Sequence, residues 1–295
     1  LTLFIFSILP LFIILFSCKT VEDITPYAPI EQYPDDQTLS TLTPKRAMII
    51  VAHDDDMCLT SGTISKLNKN GWEIRVMSLP QSEERNAAHI QACENILDSV
   101  LFFNLNGTEY RNDLDTVRYA YAAISKSRFQ EVFNTEIIQR ELIKEVNKFE
   151  PSVIFTLDNE IGGYGHPDHV MMSQLVLDLA HLDSIHPQFI YQSVYTKHMT
   201  DKIMKRHSER MKSWGFEGDG WEKAKKTYDV AGMPEPMVQI NIETEAKEKM
   251  KYLNSYNERE RKTIGFFVPA FFEYSAEEYF SVFDREFYRV IKIGE

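Results

Sequence analysis

Short apolar runs alternate with amphipathic segments along the chain from Lys45 onward. The apolar runs have the length and composition of buried strands, and they lie at 47–52, 73–79, 100–105, 153–157 and 189–195. The segments between them carry apolar residues at helical spacing and predict helices over 59–70, 83–97, 136–149 and 170–182. Such alternation is typical of right-handed βαβ units. The sequence therefore predicts an α/β domain that is Rossmann-like, with a mostly parallel sheet and helices on both faces.

The alternation weakens in two parts of the chain. A polar stretch, 106–118, interrupts it after the third strand. Beyond residue 195 the pattern predicts a basic helix over 202–214, a strand over 238–242 and a helix over 244–256. The aromatic-rich end, 266–293, has no clear period and gives no assignment.

The N-terminal end predicts an export signal. Residues 1–16 are almost wholly apolar, but the run is shorter than the ~20 residues of a membrane-spanning helix. The sequence Leu-Phe-Ser-Cys follows and ends at Cys18, which resembles the lipobox of bacterial lipoproteins. We therefore expect a signal peptide over 1–18 and an exported protein held to the membrane of a bacterial cell envelope by a lipid on Cys18. An uncleaved N-terminal anchor is the alternative.

Composition sets the domain limits and excludes one class of partner. Residues 19–44 are rich in Thr, Pro, Asp and Gln without a helical or strand period, which predicts a flexible tether before a single domain over 45–295. Cys58 and Cys93 lack the spacing of a zinc motif and are expected as buried thiols, although an exported protein could pair them. The net charge of −12 argues against a nucleic-acid surface. Nothing in the sequence specifies an oligomeric state.

Two polar clusters follow predicted strands, and they carry the candidate chemistry. His-Asp-Asp-Asp over 53–56 comes after the first strand, and His-Pro-Asp-His over 166–169 comes after the fourth. The carboxyl ends of parallel strands share one edge of a sheet, where ligands bind. Catalytic zinc takes three ligands from His, Asp and Glu and leaves one position open. Either cluster alone could be incidental, as surface histidines or a helix N-cap, but the two together predict one metal site.

The same residues resemble a known family. Ala-His-Asp-Asp-Asp over 52–56 resembles the Ala-His-Pro-Asp-Asp-Glu signature of the PIG-L/LmbE-like zinc-dependent N-acetylglucosaminyl deacetylases. Gly-His-Pro-Asp-His over 165–169 is similar to the second motif of that family, His-x-Asp-His. The resemblance runs from about Lys45 to Leu182 and implies the LmbE-like form of the α/β fold.

The resemblance implies a set of roles around one metal ion. His53, Asp56 and His169 bind the metal, which is zinc or another divalent ion. Asp55 is the general base that takes a proton from the attacking water. A bound zinc ion polarises the amide carbonyl and lowers the pKa of water, which fits the hydrolysis of a poor electrophile.

Further roles lie around this centre, and two residues depart from the family pattern. The resemblance implies that His166 faces the oxyanion and protonates the leaving amine, and that Asp168 orients His166. Arg85 matches an arginine that contacts substrate in relatives, with a helix-surface salt bridge as an equal alternative. Asp54 replaces the proline of the family, which could tighten cation binding or compete with Asp56. Met57 replaces its glutamate, so a polar contact near the site is lost.

The function expected from the residues and the resemblance is hydrolytic deacylation. We expect a metal-dependent hydrolase that removes an acetyl or similar acyl group from an N-acylated sugar or glycoconjugate. One alternative is a glycan-binding lipoprotein that kept the fold and lost turnover. Another is a metal-dependent phosphoesterase, although two-metal phosphatases need more ligands than the clusters offer. The loop over 214–221, rich in Gly and aromatic residues, is either a sugar-stacking surface or, as we favour, a loop packed over the core.

Overall fold

A mixed seven-stranded sheet organises the chain, with the strand order β3-β2-β1-β4-β5-β7-β6. The structure is a computed structural model and describes residues 19–105, 109–113 and 122–294. The strands are β1 Arg46–Ile50, β2 Glu73–Ser78, β3 Ser99–Phe102, β4 Val153–Leu157, β5 Phe189–Val194, β6 Val238–Asn241 and β7 Arg285–Lys292. The first five strands are parallel, and β7 runs antiparallel to both β5 and β6. The predicted α/β class and the mostly parallel sheet are confirmed.

Helices connect the strands and cover the sheet. They are α1 Ser61–Lys69, α2 Glu83–Cys93, α3 Phe129–Val132, α4 Thr135–Phe149, α5 Gly162–Gly165, α6 Pro167–His181, α7 Lys197–Ser213, α8 Gly220–Tyr228, α9 Ala246–Asn254, α10 Glu258–Phe267 and α11 Ala276–Val282. Short 3-10 helices cover Val21–Asp23, Thr25–Tyr27, Leu39–Thr41, Asp54–Leu59, Lys126–Arg128, Glu243–Glu245 and Phe271–Glu273. Within the described ranges, no helix combines the length and the apolar character that crossing a bilayer requires.

The core lies on both faces of the sheet, as the continuous apolar strands predict. Alternate residues of β1 point to opposite sides, so Ile49 belongs to one buried cluster and Met48 and Ile50 belong to the other. Cys58 and Cys93 are buried free thiols, as the spacing predicted. The burial of both faces leaves the carboxyl ends of the strands as the place where polar side chains can gather.

The order of the strands fixes the position of the site. The chain moves outward from β1 to β2 and β3 on one side, and from β4 to β5 on the other. β1 and β4 pair directly, with Ala47 opposite Val153 and Ile49 opposite Phe155. The order therefore reverses between β1 and β4, and a crevice opens beyond the carboxyl ends of these two strands.

The segment 19–44 is packed against the domain, so the predicted flexible tether is wrong. Ile24, Leu39 and Leu42 are only 2%, 6% and 5% exposed and belong to the buried cluster on one face of the sheet. The backbone N–H of Asp36 donates to the Gln239 carbonyl at 3.0 Å. The Asp36 carboxylate also accepts a hydrogen bond from the Tyr191 hydroxyl at 2.6 Å. Isolated apolar residues can bury without any period, which is why composition was a poor guide here.

Two predicted features lie outside the described residues. They are the signal peptide over 1–18 with its lipidated Cys18, and most of the polar stretch 106–118. The strand β7 was not predicted, because its apolar residues are mixed with charged ones in the aromatic-rich end of the chain. Each predicted helix and strand has an observed counterpart, although α7 begins at Lys197 rather than at residue 202. The helices α3, α5, α8, α10 and α11 were not predicted.

Candidate metal centre

The first motif turns directly out of β1 into a 3-10 helix. His53 is extended and serves as the N-cap of the helix Asp54–Leu59. The carboxylate of Asp56 folds back and accepts the backbone N–H of His53 at 2.8 Å. This local hydrogen bond satisfies a donor at the helix start and fixes the two side chains relative to each other.

The second motif follows β4 through a turn that needs glycine. Asp158 accepts the backbone N–H groups of Ile161 and Gly163, each at 2.7 Å. Gly162 has a φ of +61°, and a Cβ there would lie 2.7 Å from the Cβ of His169. His166 then caps the N-terminus of α6, with Pro167 in the first turn. The turn thus brings the start of α6 close to the first motif.

Three donor atoms of the predicted ligands converge between the two motifs. His53 Nδ1 lies 2.9 Å from His169 Nε2, which lies 3.1 Å from an oxygen of Asp56. His53 Nδ1 and the other Asp56 oxygen are 3.8 Å apart. Overlapping sets also bring donor atoms of His166 and Asp55 within 4.8 Å of their neighbours. The structure therefore gathers the two predicted clusters at one point.

The outer hydrogen bonds of the two histidines decide which nitrogen faces inward. His169 Nδ1 lies 2.9 Å from the carbonyl oxygen of Gly162, and His53 Nε2 lies 3.3 Å from a carboxylate oxygen of Asp168. Only a donor can face those oxygens, so in the neutral rings the opposite nitrogens, His53 Nδ1 and His169 Nε2, carry lone pairs. Two lone pairs 2.9 Å apart repel unless a proton or a cation lies between them. This donor set, with a carboxylate beside it, fits a divalent metal ion.

The charges around the centre shift the pKa values of its side chains. Burial alone would lower the pKa of His53, but the hydrogen bond to Asp168 and the charges of Asp56, Asp168 and Asp55 raise that pKa to about 9. Burial opposes ionisation of Asp56, yet His169 and His53 lower its pKa to about 2. Burial, His169 and His53 hold the pKa of His166 well below its usual value, against the opposing charge of Asp168. The site therefore favours a cation between Asp56 and the two ligand histidines.

Asp168 is the buried acceptor behind the centre. It takes hydrogen bonds from the Tyr110 hydroxyl at 2.8 Å and from Arg111 Nη1 at 3.0 Å, besides its contact with His53. Burial would raise its pKa, but His166, the hydrogen bond and charge of His53, and the charge of Arg111 hold it below the usual range. Tyr110 and Arg111 were not predicted, since they lie in a polar stretch without a motif.

Asp168 contacts a different histidine from the one predicted. Its carboxylate is within hydrogen-bond reach of His53, whereas the nearest distance to His166 Nδ1 is 3.8 Å. His166 Nδ1 instead accepts the backbone N–H of Asp168 at 3.2 Å. The side chain of Asp168 therefore orients His53, and its backbone orients His166.

Asp54 and Arg85 form an ion pair beneath the site. Asp54 is fully buried, and Arg85 Nε donates to it at 3.2 Å while a second guanidinium nitrogen also contacts it. The same guanidinium lies 3.2 Å from Asp55 and 3.8 Å from Glu260. Burial and the charge of Asp55 raise the pKa of Asp54 to about 7, against the opposing charge of Arg85. Arg85 is thus more than a surface salt bridge, since it also lines the cavity over the centre, and its contact with substrate stays a prediction. Asp54 pairs with Arg85 and is not among the described residues that line this cavity.

A cavity of about 260 Å³ opens over this centre. His53, Asp55, Asp56, His166 and His169 all line it. The far wall comes from the C-terminal part of the chain, through Arg259, Glu260, Ile264 and Phe267 of α10 and through Tyr195. Sequence reasoning missed this wall, because its residues share no motif with the two clusters.

Comparison with known proteins points to one family. Residues 48–180 match the protein family described as PIG-L, GlcNAc-PI de-N-acetylase. A Dictyostelium discoideum protein, probable N-acetylglucosaminyl-phosphatidylinositol de-N-acetylase, is 24% identical over 139 residues, which are 45% of this chain and 49% of that protein. The 1D-myo-inositol 2-acetamido-2-deoxy-alpha-D-glucopyranoside deacetylase of Nakamurella multipartita is 50% identical over 38 residues, 13% of each chain. The chain thus spans about half the length of the first relative and much less of the second.

Solved structures agree with the fold. The zinc inhibited form of teicoplanin deacetylase Orf2 superposes with a TM-score of 0.51 at 13% identity, over 85% of this chain and 99% of that one. An identity this low supports the shared α/β architecture and nothing finer.

Proposed function

Because residues 48–180 match the family described as PIG-L, GlcNAc-PI de-N-acetylase, we propose that this protein is a metal-dependent hydrolase that removes an acetyl or similar acyl group from the nitrogen of an N-acylated sugar or glycoconjugate. The observation that carries the proposal is the convergence of His53 Nδ1, His169 Nε2 and an Asp56 oxygen, with Asp55 and His166 lining the same cavity. Zinc is the metal we propose, since two imidazoles and one carboxylate suit it.

The metal-binding residues leave one carboxylate of the cluster for proton transfer. His53, Asp56 and His169 would hold the ion, which when bound polarises a carbonyl and lowers the pKa of water. The Asp55 side chain is 20% exposed, and its carboxylate is held by Arg85 at 3.2 Å. Asp55 therefore takes a proton from the attacking water and returns it to the leaving amine.

His166 acts in this proposal as a neutral hydrogen-bond donor. Its Nδ1 accepts the backbone N–H of Asp168, so its proton is on Nε2. Burial and the nearby histidines hold its pKa well below the usual value, which keeps the ring uncharged at neutral pH. A neutral imidazole can donate to a developing oxyanion, but it is a poor acid for the amine. This role differs from the one implied by the resemblance, in which His166 protonates the leaving group.

The two departures from the family pattern leave the proposed ligands and the proposed base in place. Asp54 pairs with Arg85, and Met57 is fully buried in the core cluster beneath the site. The ligand groups found among the described residues all include His53, so they form a single centre. These observations favour hydrolysis over a binding protein without turnover, and over a two-metal phosphoesterase.

The test of the function measures metal content and acetate release together. The purified full chain, loaded with zinc, is expected to release acetate from N-acetylglucosamine conjugates. Asp55→Asn should keep its zinc and lose about 10²–10⁴-fold in rate, because it removes a proton acceptor and no ligand. His169→Ala should lose both zinc and activity. An Asp55→Asn protein with full activity would reject Asp55 as the base, and release of phosphate without acetate would favour the phosphoesterase.

We also propose that the protein is exported and anchored through Cys18. The support is the apolar run followed by the lipobox-like sequence at residues 15–18. The test compares the membrane fractions of cells that express the full chain and its Cys18→Ser variant, with mass spectrometry of the N-terminal peptide. Lipid on Cys18 and its loss in the variant are expected, and an unmodified Cys18 in the membrane would favour the uncleaved anchor.

A further inference from the structure

A second cavity, of about 440 Å³, adjoins the candidate metal centre. Its described lining includes the rings of Tyr164, Phe216 and Trp221, and we name it the aromatic cleft. Tyr164 also lines the cavity that holds the metal ligands, so one side chain belongs to both spaces. The centroid of the Tyr164 phenol ring lies 5.2 Å from the centroid of the His169 imidazole ring. Tyr164 is therefore a wall common to the metal centre and the aromatic cleft.

The size of the first cavity gives a reason for such an extension. It measures about 260 Å³, below the ~300–1,000 Å³ of most ligand pockets. A single N-acylated sugar unit suits a space of this size, whereas a larger conjugate has to continue outside it. Two cavities share wall residues with the metal centre: one of about 50 Å³ shares Cys58, Leu59, Tyr195 and Phe267, and the aromatic cleft shares Tyr164. Of these two, the aromatic cleft, at about 440 Å³, has room for a sugar unit.

The helix that carries Trp221 is fixed to the second motif. Gly165 of that motif has a φ of +100°, and a Cβ there would lie 2.5 Å from the Cβ of Ala224 in α8. The Tyr228 hydroxyl, at the end of α8, donates to the carbonyl oxygen of Gly165 at 3.4 Å. α8 therefore packs backbone to backbone against the turn before His166. Trp221, in the first turn of α8, therefore belongs to a helix that packs against the second motif.

The loop before α8 is also held by local contacts. The backbone N–H of Phe216 donates to the Met211 carbonyl at 3.0 Å. Gly218 has a φ of +74° and no room for a Cβ, which would lie 2.8 Å from the Ser208 carbonyl oxygen. A backbone hydrogen bond and close packing therefore hold the turn that precedes Trp221 and carries Phe216. A preformed surface loses little conformational entropy when a ligand binds.

The chemistry of the lining selects the kind of ligand. Two carboxylates, Glu217 and Asp219, face one amine, Lys223, which contacts both. This excess of negative charge disfavours phosphate or other anions, and charged groups at the rim disfavour a lipid chain. A pyranose ring suits the combination, because its C–H face packs on an aromatic ring while its hydroxyls donate to carboxylates.

We propose that the aromatic cleft binds the next sugar unit of an extended glycan whose N-acylated sugar lies at the metal centre. The inference rests on the proposed function and makes the substrate class narrower, an oligosaccharide or glycoconjugate rather than a free monosaccharide. Trp221 supplies the stacking face and determines specificity without touching the reacting atoms.

The first experiment compares two substrates in variants of the full chain. The ratio of kcat/KM for triacetylchitotriose to that for N-acetylglucosamine should fall about tenfold in Trp221→Leu, with the loss mainly in KM for the longer sugar. Leucine keeps apolar volume beside the core but lacks the ring face, and Trp221→Phe should restore most of the ratio. Trp214→Leu is the matched control, because Trp214 lies in the same loop, is 58% exposed and is absent from the described lining of the cleft. Equal losses on both sugars in Trp221→Leu would overturn the proposal.

The second experiment does not depend on turnover. The chain contains three tryptophans, of which Trp72 is 4% exposed and buried in the core. In a Trp214→Phe background, triacetylchitotriose should change the fluorescence of Trp221, and Trp221→Leu in that background should abolish the change. A glycan response without acetate release would leave the cleft intact and reject the hydrolase. Acetate release from both sugars with no response, and no preference for the longer one, would reject the cleft alone.

Discussion

At the scale of single residues, Asp54 and Arg85 depend on each other. Asp54 has no exposed surface, and Arg85 places two guanidinium nitrogens on it. The hydroxyls of Tyr252 and Tyr256 both donate to the Asp54 carbonyl oxygen at 2.9 Å, which fixes the backbone of the acidic cluster from below. Asp54, which stands where the family has a proline, is therefore the buried partner of Arg85, and Arg85 also contacts Asp55.

This pairing predicts strong coupling between two substitutions. Arg85→Met should lower the free energy of unfolding by about 3 kcal/mol, because it leaves Asp54 buried without a partner. Asp54→Asn should also destabilise the protein, and the double variant should lose less than the sum by about 1 kcal/mol or more. Urea unfolding of the four proteins measures this cycle. Strictly additive losses would show that the two side chains act independently.

The raised pKa of His53 predicts proton release when a metal binds. In the metal-free protein this pKa is about 9, so below pH 9 the ring is mostly charged and its Nδ1 has no lone pair for a metal. Zinc binding at pH 7.5 should therefore release about one proton from His53, and the apparent affinity should rise with pH up to about 9. Calorimetric titrations in buffers of different ionisation enthalpy count the protons. A heat that is independent of buffer at pH 7.5 would contradict the shift.

At the scale of elements, buried parallel strands were predictable and the later elements were less so. β1, β2, β4 and β5 are nearly continuous apolar runs, because both faces of each strand are covered. β7 was missed because its charged residue Glu286 finds partners far away in sequence, in Lys249 and in the backbone N–H groups of Gly62 and Thr63. No local pattern reveals a pairing of this kind.

One part of the candidate site was likewise predictable from the sequence, and another part was not. Its two motifs were visible in the sequence, because each motif is one continuous turn after a strand. Tyr110, Arg111 and the α10 wall come from separate elements, and only the fold brings them to the cavity. The contact between Asp168 and His53 likewise joins two motifs that are more than a hundred residues apart. Sequence reasoning predicted the two motifs that converge and missed most of the residues that contact them.

The turn between β4 and α6 gives a test of how the second motif is positioned. Gly162→Ala adds a Cβ at a φ of +61° that would lie 2.7 Å from the Cβ of His169, so we expect weaker zinc binding by about tenfold or more. Gly71→Ala is the control, because Gly71 has a similar φ of +79° with nothing within 4 Å of the added Cβ. It should cost about 1–2 kcal/mol of stability and leave zinc affinity unchanged. Equal zinc affinity in both variants would mean that the turn does not position His169.

At the scale of the whole molecule, the folded unit is larger than the family match. The matched region is 48–180, but α10 walls the cavity and β7 pairs with β5, next to the edge strand β6. On the other side, Asp35 forms an isolated parallel bridge with Gln239 of β6. Segments before and after the motif region therefore complete the same core, and the later one also lines the candidate site.

The packed N-terminal segment predicts that a chain starting at residue 45 is less stable than one starting at residue 19. Ile24, Leu39 and Leu42 are each more than nine-tenths buried, and a fully buried side chain of this type contributes about 1.5–3 kcal/mol. The shorter chain should therefore unfold at a clearly lower temperature while keeping the two motifs that we propose to bind zinc. Leu39→Ala in the longer chain should cost about 2–5 kcal/mol, whereas Ile30→Ala should cost little, because Ile30 is 68% exposed. Thermal unfolding with zinc content measured in parallel separates the two effects. Identical unfolding of the two chains would restore the view of this segment as a tether, since only a segment without buried contacts can be removed at no cost in stability.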